Sequence, residues 1–206
     1  RVFLALAAMD VGTAFGTLGA RREMMLGFLA EPALLMIIFV AAMISQSTSL
    51  PIIAERLTGE TMALYPSLAF TAVAFTLVLL AENARIPIDN PATHLELTMI
   101  HEAMLLEYSA RHLALMEWGA ALKLFNYACI GITLFVPFGV ATEAQGPLGL
   151  VFAVPVLGAK VLVAGVALAV LETVSAKLRV FRAPEFLATA FLFAVLGLLV
   201  HLLLGA

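Results

Sequence analysis

Long apolar stretches separated by short polar connections run the length of the chain. They fall at Val2–Leu18, Met24–Ile44, Met62–Ala81, 118–137 (purest over Leu122–Val136), Leu150–Leu171 and Phe186–Leu204. A membrane-crossing helix needs about 20 apolar residues. Barrel strands would be about 10 residues long and alternate in polarity. These stretches are longer and apolar on every side, so the pattern predicts helices. The expected fold is all-α: a polytopic transmembrane bundle of six spans, forming a single integral membrane domain over residues 1–206. One long cytoplasmic loop, residues 82–117, is expected to carry an amphipathic helix.

Composition supports the same class. The 206 residues are 63% hydrophobic and 12% charged, with a mean hydropathy of +1.08. Soluble domains run at about 45–50% apolar and about 25% charged, so the lipid bilayer is the implied solvent. A net charge of −3 excludes a basic nucleic-acid surface. The single cysteine, Cys129, excludes an internal disulfide, a CxxC pair and an iron–sulfur cluster ligated by this chain alone. It reads as a small core hydrophobe.

Loop charges orient the spans. Arg21 and Arg22 lie in the Gly19–Glu23 connection. Arg85 and Arg111 lie in the third connection with Lys123 just beyond, and Lys177, Arg179 and Arg182 in the fifth. The second connection sets Arg56 against Glu55 and Glu60, and the fourth has Glu143 and no base. Basic residues thus alternate loop by loop, as the positive-inside rule requires. Six spans then place both ends on the outer side of the cell (inner or plasma) membrane. Asp10 in the first run and the Arg21-Arg22 pair after it do not fit a signal peptide. A chain opening on Arg1 and entering an apolar run at once is expected to be a piece of a longer protein.

Several charges stand where charge is expensive, about 2.5–3.5 kcal/mol at a span centre. Asp10 is in the first run, Glu31 in the second beside Pro32, Lys123 at the opening of the fourth, Lys160 mid-fifth and Glu172 at its close. Such a series suits a proton relay, in which burial raises carboxylate pKa values and lowers those of lysines. The alternative is a set of ion pairs that fix helix register. Lys160 and Glu172 lie about 18 Å apart along one helix, so each needs another partner.

The third connection is the richest in chemistry. It reads Glu82-Asn83-Ala84-Arg85-Ile86-Pro87-Ile88-Asp89-Asn90-Pro91, followed by a predicted helix from Ala92 to about Glu117. Its two prolines favour an extended turn, and Thr93 with Glu96 forms a capping box. Glu96 and Glu107 are about three turns apart and share a face, as do His94, His101 and His112. Those histidines are about 10 and 16 Å apart along the helix, so no single metal ion can bridge them. Glu82, Glu96, Glu102, Glu107 and Glu117 could form a solvated face. The apolar residues between them, from Leu95 to Leu106, instead favour burial against a partner or a proton funnel. His201, alone in the last stretch, is a lone haem-ligand candidate.

The run Glu82-xx-Arg85-x-Pro87-x-Asp89, then Glu96-Leu97 and Leu106-Glu107-Tyr108-Ser109, resembles the third large cytoplasmic loop of the respiratory complex I subunit 1 family. Further stretches resemble that family's hydrogenase branch, the membrane anchors of energy-converting nickel–iron hydrogenases of the formate-hydrogenlyase and hydrogenase-4 type. They are Asp10-Val11-Gly12-Thr13, Gly19-Ala20-Arg21-Arg22-Glu23, Glu31-Pro32, Lys123, Lys160 and Glu172-Thr173-Val174-Ser175-Ala176-Lys177-Leu178-Arg179.

The resemblance implies a non-catalytic membrane-anchor, proton-coupling subunit of an oxidoreductase complex. The implied partners are hydrogenase-like large and small (iron–sulfur) subunits and antiporter-like membrane subunits. Nickel–iron and iron–sulfur centres would sit in those partners and none in this chain. By the same resemblance, Glu82, Arg85, Asp89, Glu96, Glu102 and Glu107 form the proton-entry loop. Asp10 and Glu31 continue the acidic route, Lys123, Lys160 and Glu172 line the intramembrane part, and Arg21, Arg22 and Glu23 dock the peripheral arm. Ala92 and His94 stand where complex I carries further carboxylates, and a short insertion precedes Glu107. Both departures weigh against a complex I-type quinone pocket. Two alternatives remain: the quinone-binding subunit 1 of an NADH dehydrogenase-type complex, and a free-standing ion transporter using Asp10, Lys160 and Glu172. The transporter lacks the internal repeat common to that class.

Overall fold

A computed structural model describes residues 1–59, 66–85, 87, 99–139, 146–176, 178 and 182–204. Eight helices are present and no strands among the described residues. They are α1 (Val2–Asp10), α2 (Ala14–Ser45), α3 (Leu50–Gly59), α4 (Pro66–Glu82), α5 (His101–Leu105), α6 (Ala110–Phe135), α7 (Gly146–Val174) and α8 (Ala183–Leu204). Of these, α2, α6, α7 and α8 are long and apolar enough to cross a bilayer, and α4 is a shorter apolar helix of 17 residues. Residues 62–65 of the expected third span lie outside the described residues.

The first apolar run is not one helix. Gly12 holds φ +75°, a conformation that costs glycine little. Thr13 then caps α2, its hydroxyl accepting from the Gly16 N–H at 3.3 Å. From that cap α2 continues for 32 residues, about 48 Å, straight through Gly19–Glu23. That segment was expected as a loop, yet Gly19 and Ala20 are buried helical residues. A Cβ on Gly19 would come within 2.8 Å of the Ile100 carbonyl oxygen; the bare backbone is what lets α5 and its lead-in lie directly on α2. Nine-residue α1 folds back along the start of α2, with Ala5, Ala8 and Ala20 packed around Met104.

This elbow changes the topology. Arg1 lies beside Glu82 at the end of α4. Close by, Ala183 at the start of α8 packs with Leu26 and Ala81. Leu204 is then about 32 Å away along α8. The two ends of this stretch therefore lie at opposite ends of the bundle, not on one side as six spans require.

The helix expected from Ala92 to Glu117 is also interrupted. Among its described residues, α5 ends at Leu105, a turn follows, and α6 starts at Ala110 and continues into the membrane span. The break lets Ala103 and Met104 be buried against α2 and α1. It also lets the Tyr108 hydroxyl donate to the Ala7 carbonyl at 3.2 Å. The Thr93–Glu96 capping box lies outside the described residues.

The core is the α2–α4–α8 triple. Small residues (Ala33, Ala74, Ala190 and Ala194) interleave with Ile37, Phe75 and Val78, allowing the close backbone approach on which membrane helix packing depends. Helix α6 lies on α4 through Phe75, whose ring centroid is 5.5 Å from that of Phe135. Helix α7 packs against α6 and has no buried side chain between Val151 and Val174.

A buried charge cluster as candidate functional site

Helix α4 ends with orphan carbonyls, as every helix does, and two cations converge on them. Arg1 Nη2 donates to the Ala81 carbonyl at 3.0 Å, and Lys123 Nζ donates to the Glu82 carbonyl at 2.6 Å. Positive charge at a helix C-terminus is favourable, which offsets the cost of ending this helix on a glutamate. The same cations hold its carboxylate. Arg1 Nε lies 2.9 Å and Lys123 Nζ 2.9 Å from Glu82 Oε2. Arg1 also reaches Glu23 Oε1 at 3.2 Å. The side chains of Arg1, Glu23 and Glu82 are 8%, 6% and 5% exposed. Two positive and two negative groups thus cancel, three of them buried and Lys123 at the edge with its side chain 32% exposed.

Helix α2 makes room for this. A Cβ on Gly27 would lie 3.3 Å from Arg1 Cδ and 3.8 Å from Glu31 Oε1. Glu23, Gly27 and Glu31 recur at i, i+4 and i+8, so they share one face: two carboxylates with a gap between them for the guanidinium. On α6, Tyr127 lies one turn beyond Lys123. Its ring centroid is 5.9 Å from the Lys123 ammonium.

Beside the cluster lies a cavity of about 270 Å³, lined among others by Arg1, Glu23, Glu82, Asn83, His101 and Lys123. Asn83 donates through Nδ2 to the Leu79 carbonyl at 2.9 Å, while its buried Oδ1 meets no donor among the described residues. At about 30 Å³ per water, the cavity is large enough for a short hydrogen-bonded chain between carboxylates.

The other sequence candidates are dispersed. Arg85 Nη1 pairs with Glu172 Oε1 at 3.5 Å, tying the loop after α4 to the end of α7. Lys160 donates to the Val136 carbonyl at 2.7 Å and to the Phe138 carbonyl, with its ammonium 4.1 Å from the Phe138 ring centroid. It therefore caps the end of α6, far from Glu172, as their spacing demanded. Arg22 Nη1 donates to the Met99 carbonyl at 2.9 Å, and Arg21 is exposed. Glu23 faces inward to Arg1, the opposite of a docking surface. Asp10 is exposed at the α1–α2 elbow, Glu31 and Glu107 are exposed, and Glu102 is half-buried. Asp89, Glu96 and His94 lie outside the described residues. Among those described, no three His, Cys, Asp or Glu side chains come together to hold a metal ion.

Sequence reasoning missed Arg1 and Tyr127. Arg1 opens an apolar run, a place for a cation only if buried carboxylates await it. Tyr127 stands at i+4 from Lys123, on the same helix face.

An apolar helical bundle with a charge-balanced cluster, Arg1, Glu23 and Glu82 buried and Lys123 at its edge, beside a cavity defines a multi-pass membrane protein with an internal charged site. The chain belongs to the NADH dehydrogenase family, that of respiratory complex I subunit 1, whose profile matches residues 1–203. It is 39% identical over 144 residues to hydrogenase-4 component C of Escherichia coli K12, covering 69% of this chain and 44% of that protein. It is 31% identical over 198 residues to formate hydrogenlyase subunit 4 of the same organism, covering 96% of this chain and 63% of that protein. The chain thus spans less than two thirds of either relative's length.

Proposed function

We propose that this chain is the membrane-anchor, proton-coupling subunit of a hydrogenase-4- or formate-hydrogenlyase-like oxidoreductase complex. It links electron transfer in peripheral subunits to ion translocation across the inner membrane. Its partners are a nickel–iron-type large subunit, an iron–sulfur small subunit and antiporter-like membrane subunits, and the redox centres belong to those partners. The observation that carries this reading is the Arg1–Glu23–Glu82–Lys123 cluster and its cavity, in a chain whose relatives are named as hydrogenase subunits. We place the cluster end of the bundle on the cytoplasmic side, following the basic residues around Arg22, Arg85 and Arg182. Arg21 and Arg22 remain in the docking role. The quinone-binding alternative has less support, since both relatives carry hydrogenase names.

Glu82 is the centre of the relay: two cations contact its carboxylate, and Glu23 and the cavity give a proton somewhere to go. The test is Glu82→Gln and Lys123→Met in the intact complex, with hydrogen turnover and ion movement in liposomes measured together. The expected result is assembled complex, continuing electron transfer and loss of ion movement per electron. Full ion movement in both variants sinks the proposal.

A further inference from the structure

The cavity beside the charge cluster has a direction, and a histidine stands on its outward side. On α6 it is lined from Lys123 through Gly119 to Met116, and on α1 by Arg1 and Leu4. Both series lead away from the α2–α4–α8 core, toward the start of α6 and the α1–α2 elbow. Lys123 to Met116 is about 10 Å along the helix. His101, the first residue of α5, lines the same space. We propose that this cavity is the cytoplasmic entry for protons bound for Glu82 and that the His101 imidazole passes them inward. The role rests on the proton-coupling reading above, with the cluster end of the bundle facing the cytoplasm.

Contacts on either side fix the place of the imidazole. Arg22 Nη1 holds the Met99 carbonyl at 2.9 Å, and Ile100 is buried beside Leu26 and Ala81. Past His101, Ala103 and Met104 are buried as well. The Ile100 carbonyl rests on Gly19, one turn of α2 before Glu23. His101 therefore joins the cavity outward of the two carboxylates. It is half-buried, so it meets both the surface and the interior.

The chemistry suits that position. An imidazole has two ring nitrogens and exchanges protons near neutral pH. A proton taken up at one nitrogen from the outer side lets the other nitrogen release its own into the cavity. Exchange of tautomers then restores the ring, and the proton ends on a carboxylate oxygen of Glu82. Asn83 also lines the cavity, and its buried Oδ1 meets no donor among the described residues. That oxygen is an acceptor for a water O–H along the way. The other charged groups facing the cavity are Arg1 of α1, Glu23 of α2, Glu82 of α4 and Lys123 of α6. Their charges sum to zero, so an incoming proton meets no net positive site. Neither Glu102, next to His101 on α5, nor Glu107 lines the cavity.

Two variants test the residue and the passage separately. His101→Gln keeps a polar side chain that cannot take up a proton. Gly119→Leu fills the passage: Gly119 lines it, and a Cβ there meets nothing within 4 Å. Gly158→Leu on α7, equally open and away from the cavity, is the control. Full-length complex carrying each is placed in liposomes, and ion movement per hydrogen turned over is followed from about pH 5 to 8. A positioned proton carrier contributes about 10²–10⁴-fold, so His101→Gln and Gly119→Leu should each lose at least roughly tenfold. The parent and Gly158→Leu should show an inflection within that pH range, and His101→Gln should lack it. Parent-like ion movement with an unchanged pH profile in His101→Gln overturns the proposal, as does full movement in Gly119→Leu. Should His101→Gln fail to assemble, Gly119→Leu and the parent's own pH profile decide. If Glu82→Gln stops ion movement while both cavity variants retain it, this inference falls and the proton-coupling reading stands. If Glu82→Gln retains it too, both fall.

Discussion

Replacing Arg1 by methionine in the full-length protein removes the one group that touches both buried carboxylates. Glu82 keeps Lys123 at 2.9 Å, but Glu23, with its side chain 6% exposed, loses its cation. Breaking a buried ion pair from one side costs about 3–5 kcal/mol, because the remaining charge is neither solvated nor paired. For a chain of this size each kcal/mol shifts the melting midpoint by about 2–4 °C, so Arg1→Met should lower it by roughly 6–20 °C. Adding Glu23→Gln removes the stranded charge, so the double variant should be more stable than Arg1→Met alone. The pair should show a coupling energy of about 0.5–3 kcal/mol. Thermal unfolding of the purified complex in detergent, followed for this subunit by pulsed proteolysis, measures all four corners of the cycle. Additive effects, or a loss below about 1 kcal/mol for Arg1→Met, would show that the cluster is solvated and the burial argument wrong.

Gly197→Leu should be poorly tolerated, since a Cβ there would stand 2.7 Å from Thr71 Cγ2 and 3.1 Å from the Ser67 carbonyl oxygen. Overpacking of about 1–3 kcal/mol should appear as reduced yield of folded protein on fluorescence-detected gel filtration. Thr13→Ala should cost about 0.5–2 kcal/mol through loss of the α2 cap, and Thr13→Ser should recover most of it; protease cleavage near the elbow reads the difference. Lys160→Met leaves the carbonyls of Val136 and Phe138 without their ammonium donor, so ion movement should fall while the complex still assembles; unchanged pumping removes Lys160 from the pathway. Arg85→Gln should cost less than about 1 kcal/mol in thermal stability, because its pair with Glu172 is exposed.

The class and the later spans were legible because apolarity is set by the bilayer rather than by any one neighbour. Leu150–Leu171 and Phe186–Leu204 lie inside α7 and α8. The first run was misread because apolarity does not encode continuity. Gly12 and Thr13 carry the break, two residues against a hydrophobic background, and they outrank it through φ and one capping bond. At Gly19–Glu23 the opposite error arose: two arginines suggested a loop, though a helix tolerates them where it leaves the core. The site was legible one residue at a time and not as pairs. Arg1 meets Glu23 across 22 positions and Glu82 across 81, distances at which helix spacing says nothing.

The pairing explains how a membrane bundle can hold so many charges. Separately, Arg1, Glu23 and Glu82 would each carry the penalty for burial; together with the half-buried Lys123 they sum to zero, and the residual donors go to the end of α4. That balance is poised rather than inert. A proton arriving on Glu82 would leave Arg1 and Lys123 facing one carboxylate in place of two, and the excess positive charge would have to be relieved. Glu23 lies on the same guanidinium, so moving the proton there would leave the excess in place. It would be relieved only by passage beyond Arg1, toward Glu31 one turn past Gly27, or by loosening the contacts that clamp the end of α4 to α6. The loop that follows α4 begins at Asn83 and carries Arg85, so movement there would be felt at the α7 pair with Glu172. A charge change at one buried carboxylate would thereby reach α2, α6 and α7 through contacts of 2.9–3.5 Å.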